Sequence, residues 1–387
     1  MRIAQIAPLF ESVPPQLYGG TERVVSALTE ELVRRGHEVT LFASGDSRTS
    51  ARLAPCSAGS LRLSGNARDH AAFTVTQLAD VFARQQEFDL IHNHVDYFAF
   101  PFVARSITPV VTTTHGRLDL PEIARVYRHF PDVPLISISD SQRQPVADLN
   151  WLATVYNGID FSRFALREKP GGYLAFLGRV SPEKRPDRAI EVARALGMPL
   201  KIAAKVDAAD RDYFEYAIRP QLAHPLIEFV GEVSDKDKDE FLGNALAYLF
   251  PIDWPEPFGL TMVEAMACGT PVVAMACGSV PEVVADGVSG FVCSTLRDFI
   301  DAVARAGELD RAACRSYAEA RFSDRVMADG YERAYGELVL ADLHDPERAT
   351  DESRVYDAST AVIREPRGTC REEYSPHLST SYPVGRR

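Results

Sequence analysis

The feature that most constrains the fold is a regular alternation of short apolar segments with helical patterns. The first six apolar segments, each of strand length, are residues 2–7, 38–43, 89–94, 109–115, 134–139 and 154–159. Between the first two, Val25, Leu28 and Leu32 are spaced as one face of a helix. Strands that alternate with helices pair in parallel through right-handed crossovers, which predicts a doubly wound α/β domain.

A second series of the same kind follows the Asn157-Gly158 pair, a turn signal where a hinge between two domains is expected. Its six predicted strands are residues 172–177, 200–204, 227–230, 247–250, 271–276 and 290–292. The sequence therefore predicts an α/β fold of two doubly wound domains, residues 1–160 and 161–322, followed by a helix over residues 323–342. Periodicity ends there, so we predict that residues 343–387 form a disordered tail, with docking of residues 355–363 as the alternative.

The bulk composition argues against several classes of protein. The 387 residues carry 42 basic and 54 acidic side chains, and the net charge of −12 gives no support to a nucleic-acid partner. No apolar run approaches the roughly 18–20 residues of a membrane helix. The six cysteines include no Cys-x-x-Cys pair, which favours reduced thiols and a cytoplasmic location over a zinc site.

Two loops that follow strands carry groups suited to a phosphate. Gly19, Gly20 and Thr21 precede a helix, where free N–H groups and the helix dipole favour an anion. A tight turn with Thr21 as the N-cap explains the same residues without a ligand. Arg179 and Lys184 follow a strand of the second half and suit a diphosphate, with a solvated basic loop as the alternative. The G-x-G-x-x-G motif is missing, which disfavours a dehydrogenase.

The most specific segment is residues 255–271, which read PEPFGLTMVEAMACGTP. Seven residues separate Glu256, in the loop before a predicted helix, from Glu264 on its second turn. One carboxylate beside a sugar ring and one beside a ribose diol would use this spacing, each accepting two hydroxyl hydrogen bonds. A charged helix face is the alternative, and the surrounding proline, glycine and apolar residues argue against it.

A third polar group is His92, Asn93 and His94, followed by Asp96. Alternate strand residues share a face, so His92 and His94 with Asp96 invite a metal site. We favour the other interpretation, in which these are polar residues at a strand end that line the cleft.

Taken together, these segments resemble the retaining glycosyltransferases of family four (glycosyl transferases group 1), which have the GT-B fold. The resemblance rests first on the Glu-seven-Glu block that contains Glu256 and Glu264. Weaker matches follow in the family order at residues 19–22, 114–116, 157–160, 178–184, 281–282 and 286–291. Together they cover about residues 1–340. One departure is Arg185, which stands where the family frequently has glycine.

The resemblance implies two Rossmann-like domains facing a cleft, with the final helix crossing back to the N-terminal domain. The residues to which it assigns catalytic roles are Glu256, His115, Arg179 and Lys184. Those to which it assigns donor binding are Gly20, Thr21, Arg179, Lys184, Glu256, Phe258, Gly259, Leu260, Thr261 and Glu264. In this scheme Arg179 and Lys184 neutralise a diphosphate, while His115 lies near a far hydroxyl of the sugar. Glu256 contacts sugar hydroxyls and Glu264 holds the ribose.

The implied activity is metal-independent transfer of a hexosyl unit, with retention, from a nucleotide-diphosphate sugar such as UDP-glucose or GDP-mannose. No cofactor and no metal ligand are expected. The acceptor stays open among saccharide, lipid-linked and small-molecule acceptors, as do peripheral membrane contact and the oligomeric state. Retention by a carboxylate nucleophile and retention by same-face attack are both left open. The rival functions are a GT-B nucleotide-sugar epimerase and a non-catalytic nucleotide-sugar-binding protein.

Overall fold

A fully parallel sheet of seven strands organises the N-terminal half. The computed structural model describes residues 1–17, 19–64, 69–235 and 237–343. The strands of this sheet are β1 (Arg2–Ile6), β2 (Glu38–Ser44), β3 (Arg52–Ser57), β4 (Leu90–Asn93), β5 (Val110–Thr113), β6 (Leu135–Ser137) and β7 (Trp151–Thr154). They are ordered β3-β2-β1-β4-β5-β6-β7. The order changes direction between β1 and β4, so the loops after these two strands border a crevice.

A second parallel sheet of six strands organises the C-terminal half. Its strands are β8 (Tyr173–Arg179), β9 (Leu200–Lys205), β10 (Ile227–Gly231), β11 (Ala245–Phe250), β12 (Val272–Met275) and β13 (Gly290–Cys293). They are ordered β10-β9-β8-β11-β12-β13, so the direction changes between β8 and β11. The prediction of two doubly wound α/β domains is confirmed.

Helices cover both faces of each sheet, which is why strands such as β4 and β5 are buried along their whole length. Those of the first half are α1 (Gly20–Arg34), α2 (Leu61–Ser64), α3 (His70–Ala83), α4 (Phe100–Val103), α5 (Pro121–His129) and α6 (Asp140–Arg143). Those that follow are α7 (Pro186–Leu196), α8 (Arg211–Tyr213), α9 (Lys238–Gly243), α10 (Leu260–Ala267), α11 (Val280–Val283), α12 (Leu296–Arg305), α13 (Arg311–Phe322) and α14 (Asp324–Leu343).

Two strands differ from the prediction. Strand β3 was missed because it contains Pro55, which the sheet accommodates at its edge beside β2. Strand β7 ends at Thr154, whereas the prediction began there, because the chain leaves the sheet to form the linker to β8. Between β9 and β10 the chain forms a series of short helical turns from Ala208 to Ala223, one of them a π-helix.

The last helix, α14, packs on the N-terminal half of the chain. Met327 and Tyr331 share a buried apolar cluster with Ile3 and Leu28. The chain reaches this position through a close contact at Gly158, where a Cβ would lie 2.5 Å from the carbonyl oxygen of Ser323. Only glycine fits such an approach. The predicted tail lies outside the described residues, apart from Leu343 at the end of α14.

Candidate functional site

One pocket lies at the carboxyl ends of both sheets, where the crevices of the two halves meet. We call it the interdomain pocket. Its polar and glycine lining residues are Gly19, Gly20, Arg23, Gly178, Arg179, Lys184, Lys205, Glu232, Lys238, Glu256, Gly259, Thr261 and Glu264. Its apolar lining residues include Leu17, Phe176, Leu177, Phe250 and Leu260. The loops after β1, β8 and β11 all contribute, as expected for a ligand site at a change of strand order.

The glycine-rich loop after β1 supplies the N-terminal wall of the pocket. Gly20 is the first residue of α1, and a Cβ there would meet no heavy atom within 4 Å, so the missing side chain leaves open space. Gly19 is the N-cap, and a Cβ there would lie 2.7 Å from Cβ of Pro15. The alternative with Thr21 as the N-cap is therefore wrong. Thr21 lies inside α1 and outside the pocket lining.

Two predicted phosphate-binding cations follow β8. The guanidinium of Arg179 bonds to Glu183, and its Nε lies 3.4 Å from a carboxylate oxygen of Asp210. The ammonium group of Lys184 forms an ion pair with Glu256 and lies 4.9 Å from the ring centre of Trp254. Both cations thus face the pocket while paired with carboxylates of the protein.

The residue after Lys184 is the one that departs from the family pattern. Arg185 is the N-cap of α7 and adopts a left-handed conformation with a φ of 55°. Glycine adopts that conformation without strain, which accounts for its frequency at this position. The Arg185 guanidinium offsets the strain with hydrogen bonds to Asp187 and Asp253.

Contacts with Gly278 and Ser279 hold the loop before α10, and they position Glu256. A Cβ at Gly278 would lie 2.3 Å from the backbone nitrogen of Glu256, so the two segments touch backbone to backbone. Ser279 donates its N–H to the carbonyl of Glu256 and its hydroxyl to that of Phe258, both at 2.9 Å. Glu256 is only 8% exposed. The Phe258 side chain is buried in the core, which leaves its backbone as the part available to a ligand.

The helix that follows begins at a glycine in the left-handed region. Gly259 is the N-cap of α10, with a φ of 79°, so the chain turns sharply before the first free N–H groups of the helix. Leu260 and Thr261, the first two helical residues, line the pocket. The Thr261 hydroxyl lies 2.7 Å from that of Tyr248, which fixes the side chain.

The second carboxylate of the block, Glu264, is held by two cations that the sequence reasoning missed. Lys238 Nζ lies 2.9 Å and 3.1 Å from its two oxygens, and Arg23 Nε lies 3.4 Å from the first. Glu264 is 1% exposed and Lys238 is 8% exposed. Burial lowers the pKa of Lys238, an effect that the charge of Glu264 opposes.

A sequence signal existed for one of these two cations. Arg23 lies three residues after Gly20, one helical turn along the same face of α1. A ligand bound at Gly20 would therefore lie within reach of the Arg23 side chain. Arg23 also forms an ion pair with Asp235 from the other half of the chain. Nothing in the local pattern around Lys238 distinguishes it from a surface lysine.

The predicted catalytic histidine lies at the carboxyl end of the first sheet, just after β5. His115 Nε2 is 2.9 Å from Nδ1 of His94, and its backbone N–H donates to Asp96 at 3.4 Å. Burial lowers the pKa of His115 to about 3, so the ring is neutral near pH 7. Burial raises the pKa of Asp96 to about 6. His115 lies outside the lining of the interdomain pocket.

The structure therefore brings together most of the predicted donor-binding residues. Those that line one pocket are Gly20, Arg179, Lys184, Glu256, Gly259, Leu260, Thr261 and Glu264. Thr21, Phe258 and His115 lie outside its lining.

The structure does not support the metal interpretation of His92, His94 and Asp96. Among the described residues, no group of three or more histidine, cysteine, aspartate or glutamate side chains could hold a metal ion. His92 and His94 are buried and do not line the cleft as polar surface residues, which corrects our favoured interpretation. No helix in the described ranges has the length and apolar character needed to cross a bilayer.

Comparisons with known sequences place both halves of the chain in one group. The family model described as Glycosyltransferase Family 4 matches residues 18–163, and that described as Glycosyl transferases group 1 matches residues 159–321. A D-inositol 3-phosphate glycosyltransferase of Mycolicibacterium smegmatis is 28% identical over 389 aligned residues, covering 83% of this chain and 87% of its own length.

Solved structures share the fold at lower sequence identity. The sucrose-phosphate synthase of Thermosynechococcus elongatus has a TM-score of 0.72 at 18% identity, covering 88% of this chain and 99% of its own. The Anabaena protein HepE, in complex with UDP-glucose, has a TM-score of 0.66 at 18% identity. It covers 87% of this chain and 100% of its own. The two sheets described above therefore have the GT-B arrangement.

Proposed function

Because family models match both of its halves, the chain belongs to the glycosyltransferases of group 1 and family four, and we propose that it is a retaining hexosyltransferase. The donor is a nucleotide-diphosphate sugar, and the acceptor is a saccharide, a lipid-linked molecule or a small molecule. One observation carries the proposal: Lys184 with Glu256, and Lys238 with Glu264, line the same pocket beside the N-terminus of α10.

The cations of the pocket suit the leaving group of such a reaction. Breaking the anomeric bond leaves negative charge on the diphosphate. Arg179, Lys184 and the free N–H groups at the start of α10 would stabilise that charge electrostatically. Arg179 and Lys184 are already paired with carboxylates. A bound diphosphate would therefore replace Glu183 as the partner of Arg179 and Glu256 as the partner of Lys184.

The two carboxylates suit the two hydroxyl-bearing parts of the donor. We assign Glu256 to the sugar hydroxyls and to stabilisation of charge near the reacting carbon, because backbone contacts with Gly278 and Ser279 hold the loop that carries it. We assign Glu264 to the ribose diol, because it lines the pocket and Lys238 and Arg23 hold its carboxylate in place. His115 would accept or donate one hydrogen bond at a distant sugar hydroxyl.

A donor and product assay tests the proposal. Thermal-shift screening of nucleotide sugars identifies the donor, because a ligand that binds the native state stabilises it. Turnover with an acceptor panel, followed by NMR of the anomeric proton, is expected to show a product with the donor's configuration. An isomerised sugar from donor alone would indicate the epimerase, and stabilisation without turnover would indicate a binding protein. An inverted product would contradict retention.

Transfer is also expected to be independent of divalent metal. The positive charge around the diphosphate comes from Arg179, Lys184 and α10, so chelation with EDTA should leave the turnover number within about twofold of its value in magnesium-containing buffer. A loss of activity that a divalent ion restores would contradict this prediction.

A further inference from the structure

A continuous chain of hydrogen-bonded side chains runs from His115 into the core. His115 Nε2 lies 2.9 Å from His94 Nδ1, and His94 Nε2 lies 2.7 Å from Gln5 Oε1. The amide nitrogen of Gln5 lies 3.5 Å from the Tyr335 hydroxyl, which in turn lies 2.6 Å from His92 Nδ1. The members other than His115 are at most 1% exposed, so each polar atom depends on its neighbour in the chain.

The direction of the hydrogen bonds follows from the orientation of the Gln5 amide. Its nitrogen lies 3.5 Å from the Tyr335 hydroxyl, and its oxygen lies 2.7 Å from His94 Nε2. An amide nitrogen only donates, so the Tyr335 oxygen accepts from Gln5. The single proton of Tyr335 is then available to His92 Nδ1.

That direction fixes the protonated nitrogen of each following ring. Gln5 donates through its amide nitrogen, so its oxygen accepts a hydrogen bond from Nε2–H of His94. A neutral imidazole carries one proton, which leaves a lone pair on His94 Nδ1. His115 must then donate through Nε2, and its own Nδ1 keeps a lone pair. Burial lowers the pKa of all three histidines, so the rings stay neutral and the order persists near pH 7.

We propose that His94 is a positioning residue that fixes His115 in its Nε2–H tautomer, so that Nδ1 of His115 acts as a hydrogen-bond acceptor for the donor sugar. The contact with the sugar rests on the proposed function, whereas the tautomer does not. The order is anchored from α14 through Tyr335 and Gln5. The C-terminal helix therefore influences His115 through the intervening side chains of Gln5 and His94.

The chain offers a matched pair of variants. Tyr335 and Tyr331 are both fully buried and lie one helical turn apart in α14. The Tyr335 hydroxyl contacts Gln5 and His92, while that of Tyr331 contacts Thr113 at 3.1 Å. Tyr335→Phe removes the hydroxyl that contacts Gln5 directly. Tyr331→Phe removes a buried hydroxyl that reaches His92 only through Thr113, whose Oγ1 lies 2.7 Å from His92 Nε2, and it keeps the contact between Tyr335 and Gln5.

The test is the tautomer of His115 in the full chain, read by 15N NMR after histidine-specific labelling and assigned with His115→Gln. We expect protonation at Nε2 in the wild type and in Tyr331→Phe. In Tyr335→Phe and His94→Phe the two nitrogen shifts should move towards each other as the second tautomer becomes populated. Protonation at Nδ1 in the wild type, or unchanged shifts in both variants, would overturn the proposal.

Kinetics provide a second measurement that a purely structural role would not reproduce. Removal of the outer hydrogen-bond partner of a metal-bound histidine typically lowers activity about 10-fold to 100-fold, and we take the lower end as the scale for a histidine oriented without a metal. His94→Phe and Tyr335→Phe should therefore lower kcat by about tenfold while leaving nucleotide-diphosphate affinity unchanged. Equal losses in Tyr335→Phe and Tyr331→Phe would contradict the positioning role. A wild-type protein without transferase activity would contradict the proposed function instead, and the NMR result would stand independently.

Discussion

Replacing Lys184 with methionine should lower kcat by about 100-fold or more, the usual effect of losing one electrostatic group that stabilises developing charge. Methionine keeps the length of the side chain and its contact with the Trp254 and Phe250 rings, while it removes the ammonium group. Glu256→Gln should cause a loss of similar size, because it removes the charge of the same ion pair. Initial rates at saturating donor concentration would measure both effects.

The control for this experiment is Lys169→Met. Lys169 is exposed in the loop before β8 and lies outside the pocket lining. The substitution should leave kcat unchanged. Thermal unfolding of each variant would separate catalysis from folding, and near-normal transfer by folded Lys184→Met would contradict the assigned role.

Replacing Lys238 with methionine should weaken both folding and donor binding. The substitution leaves the buried carboxylate of Glu264 with Arg23 as its neighbouring cation at 3.4 Å. Removing one partner of a buried ion pair costs several kcal/mol, so we expect the unfolding free energy to fall by about 3 kcal/mol. Nucleotide-diphosphate affinity should fall by about tenfold or more, because the substitution removes the charge-assisted hydrogen bonds that hold Glu264 in the pocket. One such bond contributes roughly 1.5–3 kcal/mol. Denaturant unfolding and calorimetric titration would measure the two effects.

A matched control for Lys238 is Lys201→Met. Lys201 forms an exposed ion pair with Glu228 at 3.3 Å, and exposed pairs contribute at most about 1 kcal/mol. The control should therefore change stability by less than about 1 kcal/mol. A Lys238→Met variant as stable as the wild type would show that burial of the lysine opposes folding as strongly as its ion pair favours it.

Much of the architecture could be predicted because its determinants are local. All six strands of the second sheet were located from short apolar segments, and the change of strand order at β8 and β11 follows from parallel pairing. The same local signals failed at β3, where Pro55 is tolerated at the edge of a sheet, which a single segment does not reveal. They also failed at β7, where the start of the linker decides the end of the strand.

The candidate site was predicted only where its residues share a motif. Gly20, Glu256 and Glu264 stand in patterns that require a particular backbone or spacing, so their types and positions were informative. Arg23 and Lys238 gain their significance from one partner, Glu264, which lies in a segment remote from both. No local sequence pattern predicts those contacts.

The sequence by itself determined two parallel α/β domains, the loops that border their crevices and the family to which the chain belongs. These features follow from the periodic spacing of apolar residues, from turn residues and from short motifs, all of which are signals that span only a few residues of the chain. The tertiary structure alone decided which charges face each other in the pocket and which nitrogen of His115 carries its proton. Those outcomes depend on contacts such as that between Gln5 and Tyr335, which are 330 residues apart and meet only when helix α14 closes on the first sheet.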